Sequence, residues 1–159
     1  MRRFARRGAH GLGPVSLDEV LDGTMLQIGD RFRTAGVALE RPSGQPLPMV
    51  VAGRVRLEQV LVNLLQNALD AVADCPAPRV RLVVSQGPDG VDLTVEDNGP
   101  GLDPAIATEI FTPFVTGKPD GLGLGLGIAR DIMTEFGGVL ETIPSGLGGA
   151  GFRLRMRRA

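Results

Sequence analysis

One predicted helix carries a strip of residues that could bind a metal ion. At about 100° per residue, residues 56–74 place four short oxygen-bearing side chains on one side: Asn63, Asn67, Asp70 and Asp74. Asparagine inside a helix costs about 0.5 kcal/mol in propensity, so a position facing a ligand explains these residues better than solvent does. An asparagine oxygen can supply one ligand to Mg²⁺, which takes the others from water and phosphate. A plain polar helix face is the alternative for N-x-x-x-N alone.

A second candidate is the sequence Asp-Asn-Gly-Pro-Gly at residues 97–101, where a predicted strand ends. The carboxylate of Asp97 could accept a hydrogen bond from the exocyclic amine of a heterocycle, and the two glycines would let a flat ring approach the backbone. That arrangement selects adenine over guanine, whose corresponding edge carries a carbonyl oxygen. An ordinary turn is the alternative interpretation.

The third candidate is the alternating Gly-Leu sequence at residues 121–127, directly before a helix predicted from Leu126. Successive backbone N–H groups followed by a helix N-terminus form an anion site, so this segment could hold phosphate. It lacks the third glycine of a dinucleotide-binding fingerprint, and it is no P-loop because Lys118 is followed by Pro119. Lys118 is a candidate phosphate contact, and a loop without a ligand is the alternative.

The elements that must position these groups follow from periodicity and capping. Ser16 and Glu19 have the spacing of a capping box, which predicts the start of a helix. Its apolar periodicity fades near residues 33–36, where the helix is expected to end. Apolar residues at helical spacing predict the long helix over residues 56–74, ended by Pro76. The further predicted elements are strands at 37–39 and 49–52, a hairpin of 80–85 and 91–96 around a turn at 87–90, a helix at 126–136 and a last strand with Phe152, Leu154 and Met156 inward.

These elements predict an α+β fold: a two-layer sandwich in which helices cover one face of a mixed, mostly antiparallel sheet. The other sheet face, with Asp92, Thr94 and Glu96, is expected to meet water. The glycine- and proline-rich stretch before residue 15 reads as a linker, so we expect the domain to occupy residues 15–159.

Composition narrows the function further. The chain has 159 residues, which suits one domain, and its net charge of −1 gives no basic field for nucleic acid. Cys75 and His10 are the single cysteine and histidine, which excludes an internal disulfide and a multi-cysteine zinc site. No apolar stretch approaches about 18 residues, and no secretory signal is evident. We expect a cytoplasmic domain without membrane contact of its own, as part of either a soluble protein or a membrane-bound sensor.

Together, and in this order, the motifs closely resemble the catalytic ATP-binding domain of two-component sensor histidine kinases. This Bergerat-type fold is shared with gyrase, a mismatch-repair ATPase and the ninety-kilodalton heat-shock chaperone. The resemblance runs from residue 16 to residue 157, with an N box at 59–68, a G1 box at 97–101, an F box at 110–114 and a G2 box at 121–128. Residues 67–71 and 116–121 are most similar to the nitrogen-regulatory and C4-dicarboxylate sensors.

The resemblance implies ATP and Mg²⁺ as ligands and a role for each matching residue. Asn67 would ligate Mg²⁺, Asn63 would assist near the metal and phosphates, and Asp97 would bind the adenine amine. Lys118 and glycine backbone would hold the triphosphate under a lid over residues 112–125, pinned by Phe111 and Phe114. The implied nucleotide-binding residues are Asn63, Asn67, Asp70, Ala71, Asp97, Gly99, Gly101, Phe114, Thr116, Lys118, Gly121, Gly123, Leu124 and Gly125.

The chain departs from the family pattern at a few positions. Ala150 stands where many members have the threonine of a G-T-x-F box, which puts that contact in doubt, and Leu122 replaces a common threonine. Asp70 stands where another branch has lysine, as is typical of the nitrogen-regulatory branch. These departures change the detail of the site rather than its class.

Phosphoryl transfer is favoured over ATP hydrolysis. In the ATPase branch, the residue four before the metal-binding asparagine is a glutamate that serves as general base, and here it is Asn63, which cannot accept a proton. Glu58 should face away from the polar strip, so it is a poor substitute. Lys118, Asn63 and Asn67 are therefore the expected catalytic residues for transfer to a histidine.

The acceptor histidine must lie elsewhere, because His10 is followed by Gly11 and lacks the acceptor motif. Residues 1–14 are interpreted as the tail of a missing dimerisation hairpin plus a linker. The expected partners are ATP, that phosphoacceptor domain and, through the parent kinase, a response regulator. The isolated piece should be a monomer. An anti-sigma-type serine kinase and a non-catalytic nucleotide-binding module are the alternatives.

Overall fold

The structure, a computed structural model, describes residues 11–42, 44, 46–102 and 124–159. In chain order these residues form β1 (Gly13–Ser16), α1 (Leu17–Ala35), β2 (Ala38–Glu40), β3 (Met49–Ala52), α2 (Arg54–Ala71), β4 (Arg79–Gly87), β5 (Gly90–Asp97), α3 (Leu124–Glu135), β6 (Val139–Pro144) and β7 (Ala150–Met156). None of the helices in these ranges has the length and hydropathy that a bilayer span requires.

The main sheet has five strands in the order β2-β4-β5-β7-β6. Only the pairing of β2 with β4 is parallel, and the other pairings are antiparallel. In the β4–β5 hairpin, Gly87 pairs with Gly90, so the turn contains Pro88 and Asp89. The predicted class, a mixed but mostly antiparallel sheet with helices, is confirmed.

The first helix has the predicted ends. The backbone N–H of Glu19 donates to Ser16 Oγ at 3.2 Å, which satisfies one of the free N–H groups of the first turn. Gly36, with a left-handed φ of 71°, closes the other end. The predicted start after the Ser16 cap and the predicted end near residues 33–36 are therefore confirmed.

The second helix is shorter than predicted, so one member of the polar strip is wrong. Helix α2 ends at Ala71, and Asp74 lies beyond it. The N–H groups of Ala73 and Cys75 donate to the carbonyls of Asp70 and Val72, three residues back, at 3.3 and 2.9 Å. These tight turns replace helical bonds before Pro76, and the strip on α2 is Asn63, Asn67 and Asp70.

Two strands were not predicted. Strand β1 includes Gly13 and Pro14, two residues before the expected start of the domain, and it pairs with β3 in a separate sheet. Strand β6 forms an edge of the main sheet. The predicted strands β2 and β3 exist but lie in different sheets.

Strand β3 is bonded along both of its edges. On one side it pairs with β1, with Gly13 opposite Ala52. On the other side it meets the last residues: the N–H of Val51 donates to the carbonyl of Arg157 at 2.9 Å, and the N–H of Ala159 donates to the carbonyl of Met49 at 3.1 Å. We call β1, β3 and residues 157–159 the three-segment clasp.

The two faces of the main sheet differ in chemistry. The inner face packs its apolar residues into one core with the helices; its strand members include Val80, Leu82, Leu93, Val95, Phe152 and Leu154. The outer face carries ion pairs, among them Arg81 with Glu96 and Arg153 with Glu141. The prediction that Glu96 meets water is wrong: it is 8% exposed, because an arginine and a following turn cover it.

Candidate functional site

The carboxylate of Asp97, at the end of β5, is buried and held on one side. Asp97 as a whole residue is 3% exposed to solvent. Asp97 Oδ1 accepts hydrogen bonds from the backbone N–H groups of Gly99 at 2.9 Å and of Ala150 at 3.1 Å. Within the described residues, Oδ2 receives no hydrogen bond. One oxygen is thus fixed by the protein and the other can accept a donor from a ligand.

The electrostatics of Asp97 suit a neutral donor. Burial raises the pKa of Asp97 above its ordinary value of 3.8, and the N–H groups of Gly99 and Ala150 offset part of that rise. No arginine or lysine in the described ranges forms an ion pair with it. A buried carboxylate without a paired cation gains from any N–H group that a ligand brings to it.

Close packing brings the end of α2 to this carboxylate. A Cβ on Gly99 would lie 2.6 Å from the carbonyl oxygen of Ala71 and 3.2 Å from Asp97 Oδ1, so no larger residue fits without a shift. Gly101 has a left-handed φ of 85°, which favours glycine there. The structure therefore places predicted residues Ala71, Asp97 and Gly99 side by side.

The turn between β6 and β7 also contacts Asp97, and sequence reasoning missed most of it. Ser145 Oγ donates to the backbone carbonyl of Asp97 at 2.8 Å, and the N–H of Gly149 donates to the same oxygen at 3.0 Å. A Cβ on Gly149 would lie 2.6 Å from the N–H nitrogen of Gly99. The available signal was the glycine-rich sequence before the last strand, where only Ala150 had been noted as a departure.

Asn98 fixes the turn after Asp97 from the opposite side. Its Oδ1 accepts from the N–H of Arg79 at 2.8 Å, and its Nδ2 donates to the carbonyl of Ala77 at 2.8 Å. The thiol of Cys75 lies 3.5 Å from the carbonyl of Asn98. The side-chain amide of Asn98 therefore anchors the turn to the first residue of β4 and to Ala77 just before that strand.

The polar strip of α2 meets the start of α3. Asn63 Nδ2 donates to the carbonyl of Gly125 at 3.3 Å, which joins the first strip residue to a glycine of the predicted phosphate-binding segment. Asn67 lies one turn further along α2 and is half-buried. Asp70 Oδ1 accepts from Gln66 Nε2 at 2.9 Å. Leu124 begins α3, two residues before the predicted start at Leu126.

Part of the predicted site lies outside the described residues, as does the predicted lid over residues 112–125 apart from its last two positions. The site residues concerned are Phe114, Thr116, Lys118, Gly121 and Gly123. Their assignment stays a prediction. Within the described part, Asn63 of the strip donates to Gly125 at the start of α3, and Gly99, whose N–H donates to Asp97, packs against Ala71 at the end of α2.

A family model and curated relatives indicate the same protein family for this chain. The family described as "Histidine kinase-, DNA gyrase B-, and HSP90-like ATPase" matches residues 52–159. The C4-dicarboxylate transport sensor protein DctB of Rhizobium meliloti (strain 1021) is 40% identical over 161 residues, covering 100% of this chain and 25% of DctB. The chain spans about a quarter of the length of three C4-dicarboxylate transport sensor proteins that it matches.

Solved structures agree with the sequence relatives. The nucleotide-free catalytic domain of histidine kinase ThkA superposes with a TM-score of 0.81 at 28% identity, covering 92% of this chain and 95% of that one. Full-length ShkA in complex with AMPPNP superposes with a TM-score of 0.77 at 31% identity, covering 93% of this chain and 31% of ShkA. The chain therefore belongs to the histidine kinase-, DNA gyrase B- and HSP90-like ATPase family, as an ATP-binding catalytic domain of the histidine kinase type.

Proposed function

We propose that this chain binds Mg·ATP and transfers the γ-phosphoryl group to a histidine carried by a dimerisation domain outside these residues. The observation that carries the proposal is the half-satisfied, buried carboxylate of Asp97 beside Gly99. Its Oδ2, to which no described residue donates, would accept a hydrogen bond from the adenine amine. Guanine would present a carbonyl oxygen to the same carboxylate, and two acceptors repel each other, so the site selects adenine.

The other end of the site suits phosphate and metal. Helix α3 begins at Leu124, so its first N–H groups and the positive end of its dipole favour an anion there. Asn63 already contacts Gly125 in this region, and Asn67 follows on the same strip. Asn67 would hold Mg²⁺ through its amide oxygen, and the metal would supply neutralisation of charge on the transferring phosphate. Lys118 and the glycine backbone before Leu124 would hold the triphosphate.

The packing of Glu58 supports transfer to a histidine over hydrolysis. Glu58 Oε1 accepts from Gln27 Nε2 at 3.1 Å, and its Oε2 accepts from Arg54 Nε at 3.2 Å. These contacts put Glu58 on the α1 side of α2, whereas Asn63 faces α3. With an amide at position 63, the described site offers no carboxylate there to activate water. The imidazole of the acceptor is itself the nucleophile.

The parent protein sets the remaining partners. By likeness to its relatives, this domain would act on its own dimerisation hairpin and supply phosphate to a response regulator through that histidine. It would work in the cytoplasm, as a monomer when excised. An anti-sigma-type serine kinase would instead label a serine on a partner protein.

Calorimetric titration with AMPPNP, with and without Mg²⁺, tests the nucleotide site. We expect Mg²⁺-dependent binding that Asp97→Asn weakens by about 100-fold, because the amide N–H₂ opposes the adenine amine at a buried position. Asn67→Ala should abolish most of the Mg²⁺ dependence. Asp92→Asn, on the same strand but outside the site, is the matched control and should bind normally.

A labelling experiment tests the transferred group. With γ-labelled ATP, the chain should label an added histidine-bearing hairpin of its parent kinase and should not label itself. Labelling of His10, or of a partner serine, would contradict the proposed reaction. Equal binding with and without Mg²⁺ would favour a non-catalytic nucleotide-binding module.

A further inference from the structure

We propose that Glu96, paired with Arg81, is a positioning residue for base recognition. It acts by fixing the turn between β6 and β7, which leads into Ala150, the first residue of β7, whose N–H donates to the Asp97 carboxylate. The inference rests on the proposed function, because it concerns the same nucleotide site. It adds a residue that does not touch the ligand but determines which oxygen of Asp97 the ligand meets.

Glu96 uses both carboxylate oxygens within the protein. Its Oε1 accepts from Arg81 Nε at 3.0 Å and from Arg81 Nη2 at 2.7 Å. Its Oε2 accepts from the backbone N–H of Gly146 at 2.8 Å. Both arginine donors converge on Oε1, and Oε2 is left to accept from the N–H of Gly146, where the turn begins.

From Gly146 the constraint passes to Asp97 through the turn itself. Ser145 Oγ donates to the Asp97 carbonyl and accepts from the N–H of Leu147 at 3.0 Å. At the end of the turn, Gly149 N–H donates to the Asp97 carbonyl, and Ala150 N–H donates to Asp97 Oδ1. The turn is therefore fastened at its start by Glu96 and along its length by Asp97.

This arrangement makes the choice of acceptor oxygen depend on the turn. While Ala150 N–H occupies Oδ1, the carboxylate cannot rotate freely, and Oδ2 alone is presented to the base. If the turn loosens, Oδ1 loses one of its two donors and the carboxylate loses its fixed orientation. Recognition of the adenine amine should then weaken, whereas contacts to the phosphates should not.

The test compares two nucleotides in the full chain by calorimetric titration with Mg²⁺. One is ATP, and the other is purine riboside triphosphate, which lacks the exocyclic amine. We expect Glu96→Ala to weaken ATP about tenfold and to leave purine riboside triphosphate within about twofold. Glu141→Ala is the matched control, because Glu141 pairs with Arg153 on the same sheet face without contacting the turn. It should change neither affinity.

A second variant keeps the test valid if Glu96→Ala fails to fold. Ser145→Ala removes the hydroxyl bond to Asp97 and should weaken ATP about threefold with the same selectivity for the amine, and Ser145→Thr should restore it. In the Asp97→Asn background, both effects should vanish, because the residue that they position is gone.

The outcomes separate the inference from the proposed function. Equal weakening of both nucleotides by Glu96→Ala and Ser145→Ala, or unchanged ATP affinity in both, would overturn the positioning role alone. Undiminished effects in the Asp97→Asn background would do the same. Failure of the unmodified chain to bind ATP would overturn the proposed function, and the inference with it.

Discussion

Strand β5 carries an aspartate near each of its ends, and the surroundings of the two aspartates differ. At one end, Asp97 is buried, held by backbone N–H groups and without an ion pair in the described ranges. At the other end, Asp92 accepts from Arg155 Nε at 3.2 Å, beside an open cleft of about 300 Å³. The cleft is lined by the β4–β5 turn, Gly137, Gly138 and the end of β7.

The different burial and pairing of Asp92 and Asp97 indicate which of the two carboxylates gains more from contacting a ligand. The ion pair at Asp92 is already satisfied and half-exposed, so a ligand gains little by contacting it. Asp97 carries the cost of burial with one oxygen unsatisfied by described residues, so a ligand that supplies a donor recovers part of that cost. Burial without an ion pair in the described ranges, rather than the presence of an acid, distinguishes the end that carries the proposed nucleotide site.

The largest expected effect comes from packing at the Asp97 end. Gly149→Ala should lower the free energy of unfolding by about 2 kcal/mol, because the added methyl group would overlap Asp97 and the backbone of Gly99. Gly87→Ala, at the opposite end, is the control: no atom lies within 4 Å of its added Cβ, and the change should cost under about 0.5 kcal/mol. Urea denaturation measures both. Equal losses would show that the two ends are packed alike.

The acid titration of ligand binding is next in size. Burial raises the pKa of Asp97, and the ionised carboxylate would accept more strongly from the adenine amine than the protonated acid would. ATP affinity should therefore fall by up to about tenfold for each pH unit below that raised pKa. Carbon-13 NMR of the Asp97 carboxyl should show the raised pKa in the free chain and a lower pKa with nucleotide bound. A pKa that nucleotide does not lower would argue against direct contact with the base.

Rising pH, which should strengthen ATP binding, should lower the free energy of unfolding that Asp97 contributes. The folded-state pKa of Asp97 lies above 3.8, its ordinary value. Between pH 3.8 and that raised pKa, the folded chain therefore binds more protons than the unfolded chain. This group therefore contributes a loss of stability as pH rises through that window. Asp97→Asn removes the loss, so its unfolding free energy relative to the unmodified chain should increase over the same pH range. Denaturation at pH 4 to about 7 checks this sign.

The smallest effect is expected at the opposite end. Asp92→Asn should change the free energy of unfolding by less than about 0.5 kcal/mol, because its partner Arg155 is 52% exposed and also lies 3.9 Å from Glu141. Denaturation in low and high salt measures the change. A loss as large as that of Gly149→Ala would mean that the Asp92–Arg155 ion pair stabilises the fold as much as the packing around Asp97 does.

Local chemistry was enough to predict the elements that carry strong periodic or capping signals. The Ser16 cap, the apolar stripe of α2 and the β4–β5 hairpin were all found where the sequence indicated. Asp97 was singled out because an acid beside two glycines at a strand end could bind a flat heterocycle, with an ordinary turn as the alternative. These signals lie within a few residues of each other along the chain.

The remainder depends on distant partners. Strand β1 contains Gly13 and Pro14 and forms because β3 lies beside it, while β6 buries only Leu140 and so lacks an alternating pattern. The bond from Ser145 to Asp97 spans 48 positions of sequence, and no local pattern could indicate it. The hydrogen-bonded environment of Glu96 was missed for the same reason.

The three-segment clasp has a mechanical consequence. Gly13 enters at the Ala52 end of β3, and Ala159 lies at the Met49 end on the opposite edge. A force that pulls residues 13 and 159 apart therefore runs along β3 and loads its two rows of hydrogen bonds in shear, many at once. Such an arrangement resists tension better than one in which bonds peel apart singly. Single-molecule pulling through these two points should meet its first resistance at this small sheet.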